Sequence, residues 1–291
     1  MDLPRNLPLP GTGDAAVAVA APGKGPGWWA GASSVVRDGT GFAAGYRVRN
    51  GHDGNDETVV ARSDDGETFE TVAVLDQSRF DAQWMERPAL VALPGGGWRL
   101  YTCCGAPGSK GWWIDVLEAP TLEGLGTAGA RTVFPGDELT AVKDPVVRLV
   151  DGVWHAWICC HHLDVPGEED RMSTAYASSA DGLGWTWHGT VLSGRPGEWD
   201  ARGARLTTLL PGGWVAYDGR RNAAENWFER CGLARTDGTP ARPYEPLDGE
   251  PIADLRYLDA VELDDGAVRL YYEHRLPDES HELRTEYVPA R

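Results

Sequence analysis

Acidic and basic side chains recur at the starts of several similar segments of this chain of 291 residues. The candidate catalytic carboxylates are Glu86, Asp144, Asp200 and Asp259. Two carboxyl groups held on either side of a scissile bond can act as its acid and its base. The basic candidates can bind a carboxylate, sulfate or phosphate group, and they are Arg87, Lys143, Arg202 and Arg205. The pattern predicts a site for a multiply hydroxylated or anionic ligand.

These residues belong to a segment that occurs five times. Its copies begin at residues 32, 87, 144, 202 and 257, and are therefore 55 to 58 residues apart. Each copy runs into a glycine-containing turn and then into a second apolar segment, as at 98–103 and 154–159. This period is too long for the coil of a solenoid, and it fits one four-stranded blade of a propeller.

The end of the chain breaks the repeat, because the fifth copy has only three strand-like segments. Residues 15–20, ahead of the first copy, are compatible with a strand. We expect them to form the outer strand of the last blade, which would close the ring and cover two free sheet edges. The predicted fold is all-β, a five-bladed β-propeller with four-stranded blades in one domain over residues 1–291.

The propeller fold predicts where the candidate residues meet. Because the first strands of all blades surround the axis, polar residues at their starts should converge on one funnel. The further ligand-binding candidates at this level are Asp218, Tyr257, Glu273, His161, Trp84 and Trp28. The alternative is a network of buried ion pairs that plugs the channel, for example Asp144 with Arg87 or Glu86 with Arg202. The number of charges favours a ligand site, because burying charges costs more than apolar packing.

Composition limits the possible partners. The net charge is −17, which argues against nucleic acid and anionic membranes because both would repel the chain. No convincing signal peptide or membrane-spanning segment is visible. The five cysteines are predicted to be free thiols in a reducing bacterial cytoplasm, and no cofactor or metal is expected. The oligomeric state is not predicted.

Several motifs resemble those of five-bladed glycoside hydrolases. They are the Asp144-Pro145-Val146-Val147 strand start and the turns at 63–69 and 179–185. Together with the repeat, they resemble glycoside hydrolase families 43, 32, 68, 117 and 130. The resemblance to family 43 implies three carboxylates: a base matching Ala32, an orienting residue matching Asp144, and an acid matching Arg202. Two of these three positions hold other residue types, so the sequence does not predict a standard inverting hydrolysis.

Three functions remain open at this stage. The first is a glycoside hydrolase or phosphorylase that uses carboxylate acid and base chemistry, with an anionic group bound by arginine as a variant. The second is an enzyme that modifies another small molecule on the same fold. The third is a sugar-binding propeller without turnover. The fold alone does not distinguish among them.

Overall fold

The computed structural model describes residues 4, 7–52 and 55–290. It contains four short 3-10 helices, Gln77–Phe80, Glu123–Gly126, Pro211–Gly213 and Ala223–Glu225. All other regular structure is β. The strands β1 to β20 are, in order, Ala15–Val19, Trp28–Asp38, Gly41–Asn50, Asp56–Ser63, Glu70–Asp76, Trp84–Ala92, Trp98–Gly105, Trp112–Ala119, Ala130–Phe134, Thr140–Val150, Val153–His162, Met172–Ser179, Thr186–Ser193, Gly203–Leu210, Trp214–Arg220, Arg230–Arg235, Glu245–Pro246, Arg256–Glu262, Val268–Arg275 and His281–Val288.

Antiparallel pairing divides the strands into five groups of four, which we call units one to five. They are β2–β5, β6–β9, β10–β13, β14–β17, and β18–β20 with β1. Within each unit, a turn that contains glycine connects the first strand to the second, as the sequence predicts. The all-β propeller fold is confirmed by these pairings and by the structural similarities described below.

Five apolar clusters hold the units in a ring. Each cluster is shared by two neighbouring units, and one of them joins unit five to unit one. Leu90, Leu100 and Val60, for example, pack together between units one and two. Removal of this apolar surface from water stabilises the ring, and the first strand of every unit is thereby held beside the axis.

The N-terminal strand completes unit five, which confirms the predicted closure. β1 pairs antiparallel with β20, and Ala15 lies opposite Glu286. The backbone N–H groups of Gly11 and Thr12 donate to the Glu286 carboxylate at 2.8 and 2.7 Å. A segment from the start of the chain therefore covers the edge of a strand near its end.

We expect removal of residues 1–23 to abolish cooperative thermal unfolding, because the deletion exposes the edge of β20 and leaves the carboxylate of Glu286 without these donors. Circular dichroism melts of the truncated and full-length proteins measure the effect. A truncation of residues 1–6, which keeps β1, is the control and should melt like the full chain. A 1–23 deletion with an unchanged melting curve would show that the closure contributes nothing.

The first strand of every unit contains a β-bulge at the same level. Pairing shifts register between Gly31 and Ser34, and between the corresponding pairs Glu86/Ala89, Lys143/Val146, Leu206/Thr208 and Arg256/Asp259. In three units the backbone of a bulge residue is left-handed, a conformation that residues other than glycine rarely adopt. The φ angles are 52° at Ala32, 51° at Asp144 and 53° at Tyr257. The repeated bulge turns consecutive side chains toward the axis.

The bulge corrects the sequence alignment of unit four. Arg205 pairs with Asp218 just as Lys143 pairs with Cys159, so the residue that matches Asp144 is Leu206. The sequence alignment had matched Arg202, four residues earlier. It was wrong because the preceding loop contains extra residues, and spacing alone does not reveal where the strand begins.

Candidate functional site

A cavity of about 450 Å³ lies where residues from all five units converge. Four of its lining side chains are acidic: Glu86, Glu169, Asp170 and Glu229. Six are basic: Arg49, Lys110, Lys143, Arg205, Arg220 and Arg256. The cavity is therefore formally positive in a chain with a net charge of −17. Aromatic side chains at its walls are Trp84, Trp112, Trp227 and Tyr257.

Glu86 is the one candidate catalytic carboxylate of the sequence that lines this cavity. Its Oε2 accepts a hydrogen bond from Arg47 Nη1 at 2.5 Å, and its Oε1 is 3.1 Å from Arg49 Nη2. Lys143 Nζ lies 3.8 Å away. Burial raises the pKa of Glu86, but these three cations outweigh burial and hold the pKa well below its usual range. Glu86 is therefore ionised at neutral pH.

Asp144 lies beneath the cavity, fully buried, in a chain of charges along the axis. Arg205 donates to Asp144 Oδ2 at 2.9 Å and to Asp218 Oδ2 at 2.7 Å. The backbone N–H of Arg87 donates to the other oxygen of Asp144 at 3.2 Å. These contacts resemble the buried plug that the sequence left open as an alternative, although the guanidinium of Arg87 is bonded elsewhere.

Among the described residues that line the cavity, Tyr257 is the one with a hydroxyl group. Arg205 Nη1 donates to its oxygen at 2.8 Å, and carboxylate oxygens of Glu86 and Asp144 each lie 3.4 Å from it. Burial raises the pKa of Tyr257 well above its usual value. The carboxylates of Asp144 and Glu86 add to this rise, while the guanidiniums of Arg205 and Arg256 oppose it. The phenol is neutral, and its proton is directed toward the carboxylates.

Glu229 forms a second charged group on the side of units four and five. It pairs with Arg220, and its Oε2 lies 3.3 Å from Arg256 Nε. Burial raises the pKa of Glu229, but Arg256 and Arg220 outweigh it, and the pKa is lowered overall. The pKa values of Glu169 and Asp170 are lowered as well. All four lining carboxylates are therefore ionised at neutral pH.

Several residues predicted for the site lie away from the cavity. Asp200 accepts from Tyr217 Oη at 2.7 Å and from Arg195 at 3.0 Å. Asp259 accepts from the Val35 N–H at 2.8 Å. Trp28 is also outside the lining. Asp218 and Glu273 are buried behind the cavity wall as ion-pair partners of arginines.

The four basic candidates also differ in whether they line the cavity. Lys143 and Arg205 line the cavity, whereas Arg87 and Arg202 do not. Arg87 donates to the backbone oxygens of Ser33 and Thr207 at 3.0 and 2.7 Å. Arg202 holds Asp170 in a bidentate pair with both distances at 2.8 Å. Of the other candidates, Trp84, His161 and Tyr257 line the cavity.

Sequence reasoning missed Arg49 and Arg256. Arg49 follows Arg47, which donates to Glu86, by two positions on β3, and alternate residues of a strand share a face. Arg256 precedes Tyr257 as Lys143 precedes Asp144. The phase of the repeat could therefore have identified both. Trp227 lies in the loop between β15 and β16, where no comparable signal indicates it.

Replacement of Asp144 by asparagine should lower both activity and stability. The amide has nearly the same shape as the carboxylate, but Asp144 is fully buried and bonded to Arg205. Removing its charge leaves a buried guanidinium partly unpaired, and breaking a buried pair costs about 3–5 kcal/mol. Urea unfolding of Asp144→Asn measures this free energy. A variant as stable as the wild type would contradict the buried pairing.

All five cysteines are buried and free, as the sequence predicts. Burial raises the pKa of Cys104 and Cys160 far above the usual range, so these thiols are not reactive. Within the described part of the chain, no group of three potential metal ligands is arranged to hold an ion. The same residues include no helix with the length and apolarity needed to cross a bilayer.

The structure is similar to solved propeller enzymes. It matches a thermostable family-43 glycoside hydrolase with a TM-score of 0.68 and 13% identity, over 94% of this chain and 91% of that one. It matches the β-1,2-mannobiose phosphorylase of Listeria innocua, solved with β-1,2-mannobiose, with a TM-score of 0.63 and 14% identity over 88% of each chain. No protein-family model matches the sequence, and no curated protein matches it. At this low sequence identity, the similarity shows the fold alone.

Proposed function

We propose that the protein is a glycoside hydrolase-like enzyme that acts on a carbohydrate, or a related polar small molecule, in the axial cavity. The observation that carries the proposal is the pair formed by Glu86 and Tyr257. An ionised carboxylate and a neutral phenol lie 3.4 Å apart on the cavity surface. The structural neighbours, which include carbohydrate hydrolases and a phosphorylase, add support from the fold.

Glu86 can serve as the base or as the charge that stabilises the transition state. In glycoside hydrolysis, positive charge develops at the sugar carbon, and a carboxylate stabilises it or takes a proton from the attacking water. To donate to a ligand oxygen, the Tyr257 hydroxyl exchanges its long contacts of 3.4 Å with Glu86 and Asp144 for the ligand, while Arg205 continues to donate to the phenol oxygen. The aromatic walls provide apolar surface for the faces of a sugar ring.

A substrate screen tests the proposal. Aryl glycosides and oligosaccharides, including β-1,2-mannobiose, are incubated with the protein in the presence and absence of inorganic phosphate, and released sugars are measured. We expect turnover of at least one neutral glycoside, and we expect it to be lost in Glu86→Gln. Turnover by Glu86→Gln at the wild-type rate would remove Glu86 from the mechanism.

A sugar-binding propeller without turnover is the second candidate. It is favoured by the ionisation of all four lining carboxylates, because a glycosidase usually keeps one carboxyl protonated as its general acid. Calorimetry separates the two functions. Saturable binding of an oligosaccharide that is recovered intact after prolonged incubation would identify a binding protein.

A further inference from the structure

His161 has a buried nitrogen without a partner at the cavity. It lies at the end of β11 and lines the cavity. Its Nε2 is inaccessible to solvent and has no hydrogen-bond partner among the described residues. Buried polar atoms without a partner are rare in folded proteins, and each one requires an explanation.

The hydrogen bond of His161 Nδ1 determines whether Nε2 carries a hydrogen. His161 Nδ1 lies 2.9 Å from the backbone oxygen of Glu169. Because a carbonyl oxygen can only accept, Nδ1 must carry a hydrogen. Burial, and then the charges of Lys143, Arg220 and Arg205, lowers the pKa of His161 well below its usual value. The ring is therefore neutral, and Nε2 presents a bare lone pair.

Lys143 has N–H donors without a hydrogen-bond acceptor among the described residues. Its nearest carboxylate oxygens, on Glu86 and Asp144, are 3.8 and 3.9 Å from Nζ, beyond hydrogen-bond distance. Its ammonium group lies 4.8 Å from the ring centre of Trp112. Within the described residues, Nζ makes no hydrogen bond, so its N–H donors remain available to the cavity.

The two side chains lie next to each other in unit three. Lys143 pairs with Cys159 on the neighbouring strand, and His161 follows Cys159 by two positions. Lys143 and His161 are thus diagonal neighbours on one face of the sheet, within reach of each other for long side chains. A donor and an acceptor without hydrogen-bond partners among the described residues therefore belong to neighbouring side chains in the wall of the same cavity.

We propose that His161 and Lys143 together bind one uncharged hydroxyl group of the ligand, whose O–H donates to Nε2 and whose oxygen accepts from Nζ. This inference rests on the proposed function and specifies it further. A deprotonated phosphate, sulfate or carboxylate oxygen has no hydrogen to donate, and its lone pairs would face that of Nε2. The part of the cavity at unit three therefore selects a neutral hydroxyl over an anion.

The tautomer of His161 is tested by nitrogen NMR of protein labelled with ¹⁵N in its histidines. His161→Gln assigns the resonance among the seven histidines. At pH 7 we expect the pattern of a neutral ring with hydrogen on Nδ1. A ring that is protonated at pH 7, or that carries its hydrogen on Nε2, would overturn the inference.

Calorimetry tests the hydroxyl contact with a panel of neutral mono- and disaccharides that includes β-1,2-mannobiose. His161→Phe removes the acceptor and should weaken binding about tenfold, the usual effect of one lost hydrogen bond. His161→Gln retains an acceptor oxygen and should lose less. His162→Phe, on the opposite face of the strand, is the control and should bind like the wild type. Equal binding by His161→Phe would overturn the inference while leaving the proposed function intact.

Inorganic sulfate, which carries no hydrogen at pH 7, provides the opposing probe. We expect it to produce no saturable rise in melting temperature that depends on His161. A saturable stabilisation of the wild type that disappears in His161→Phe would assign this position to an anion and overturn the inference. If no sugar of the panel binds the wild type, the proposed function fails, and the tautomer and sulfate measurements still decide the hydroxyl assignment.

Discussion

Replacing Glu86 with glutamine is expected to reduce turnover by about 10²–10⁴-fold, the usual contribution of a positioned acid or base. The amide has nearly the same shape but cannot accept a proton or carry negative charge. It also loses the attraction of Arg47, Arg49 and Lys143. Initial rates on the best glycoside of the screen measure the effect, at a temperature where circular dichroism shows the variant to be folded.

Two control variants make this measurement specific. Glu118→Gln is the same substitution at a glutamate paired with Arg99, outside the cavity lining, and it should leave turnover unchanged. Asp200→Asn changes a carboxylate that the sequence proposed for catalysis but that lies bonded to Tyr217 and Arg195. If Asp200→Asn loses activity while folded and Glu86→Gln retains it, the cavity described here is not the site of the reaction.

The fold could be predicted because its information is local and repeated. Glycine turns such as Asp151-Gly152 mark the first hairpin of each unit, and apolar segments recur in the same order in every unit. Five copies reinforce one another, so an error in one copy does not alter the architecture. The closing strand β1 was also predictable, since the last repeat lacks a strand and residues 15–20 could provide one.

The site was predicted less completely, for two physical reasons. Bulges and loops shift the register without changing the composition, and this moved the fourth match from Leu206 to Arg202. The spacing also does not show whether a charge faces a ligand or another side chain. Arg87 and Arg202 are bonded to backbone oxygens and to Asp170, while Lys143 keeps free donors. Only the three-dimensional arrangement distinguishes these environments.

Most charges beneath the cavity have partners within the protein, which explains how an acidic chain keeps a formally positive cavity. Arg205 is shared between Asp144 and Asp218, and Arg47 between Glu86 and Glu273. Such networks fix the orientation of each group but leave little charge for a ligand. Lys143 and His161 are exceptions, and we therefore expect them to determine which ligand groups the cavity accepts.

Arg205→Met should strongly destabilise the folded protein. The guanidinium is almost fully buried and joins the Asp144 and Asp218 carboxylates at 2.9 and 2.7 Å. Methionine has a similar volume but no charge, and two carboxylates remain buried without their cation. The free energy of unfolding should fall by about 3–5 kcal/mol, as for other broken buried pairs. Urea denaturation at pH 7.5 measures it, and Arg242→Met, which removes an exposed pair with Asp237, should change little.

The pH dependence of this loss follows from the carboxylates that remain. In the wild type, burial raises the pKa of Asp218 although Arg205 opposes it. Without Arg205 the pKa should rise further, so the folded variant binds a proton that the unfolded chain releases. A carboxyl with a raised folded pKa loses stability as pH rises through that value. The deficit of Arg205→Met should therefore shrink between pH 7.5 and pH 5, and Asp218→Asn added to it should restore part of the stability. A deficit that is equal at both pH values would mean that the buried carboxylates do not cause the loss.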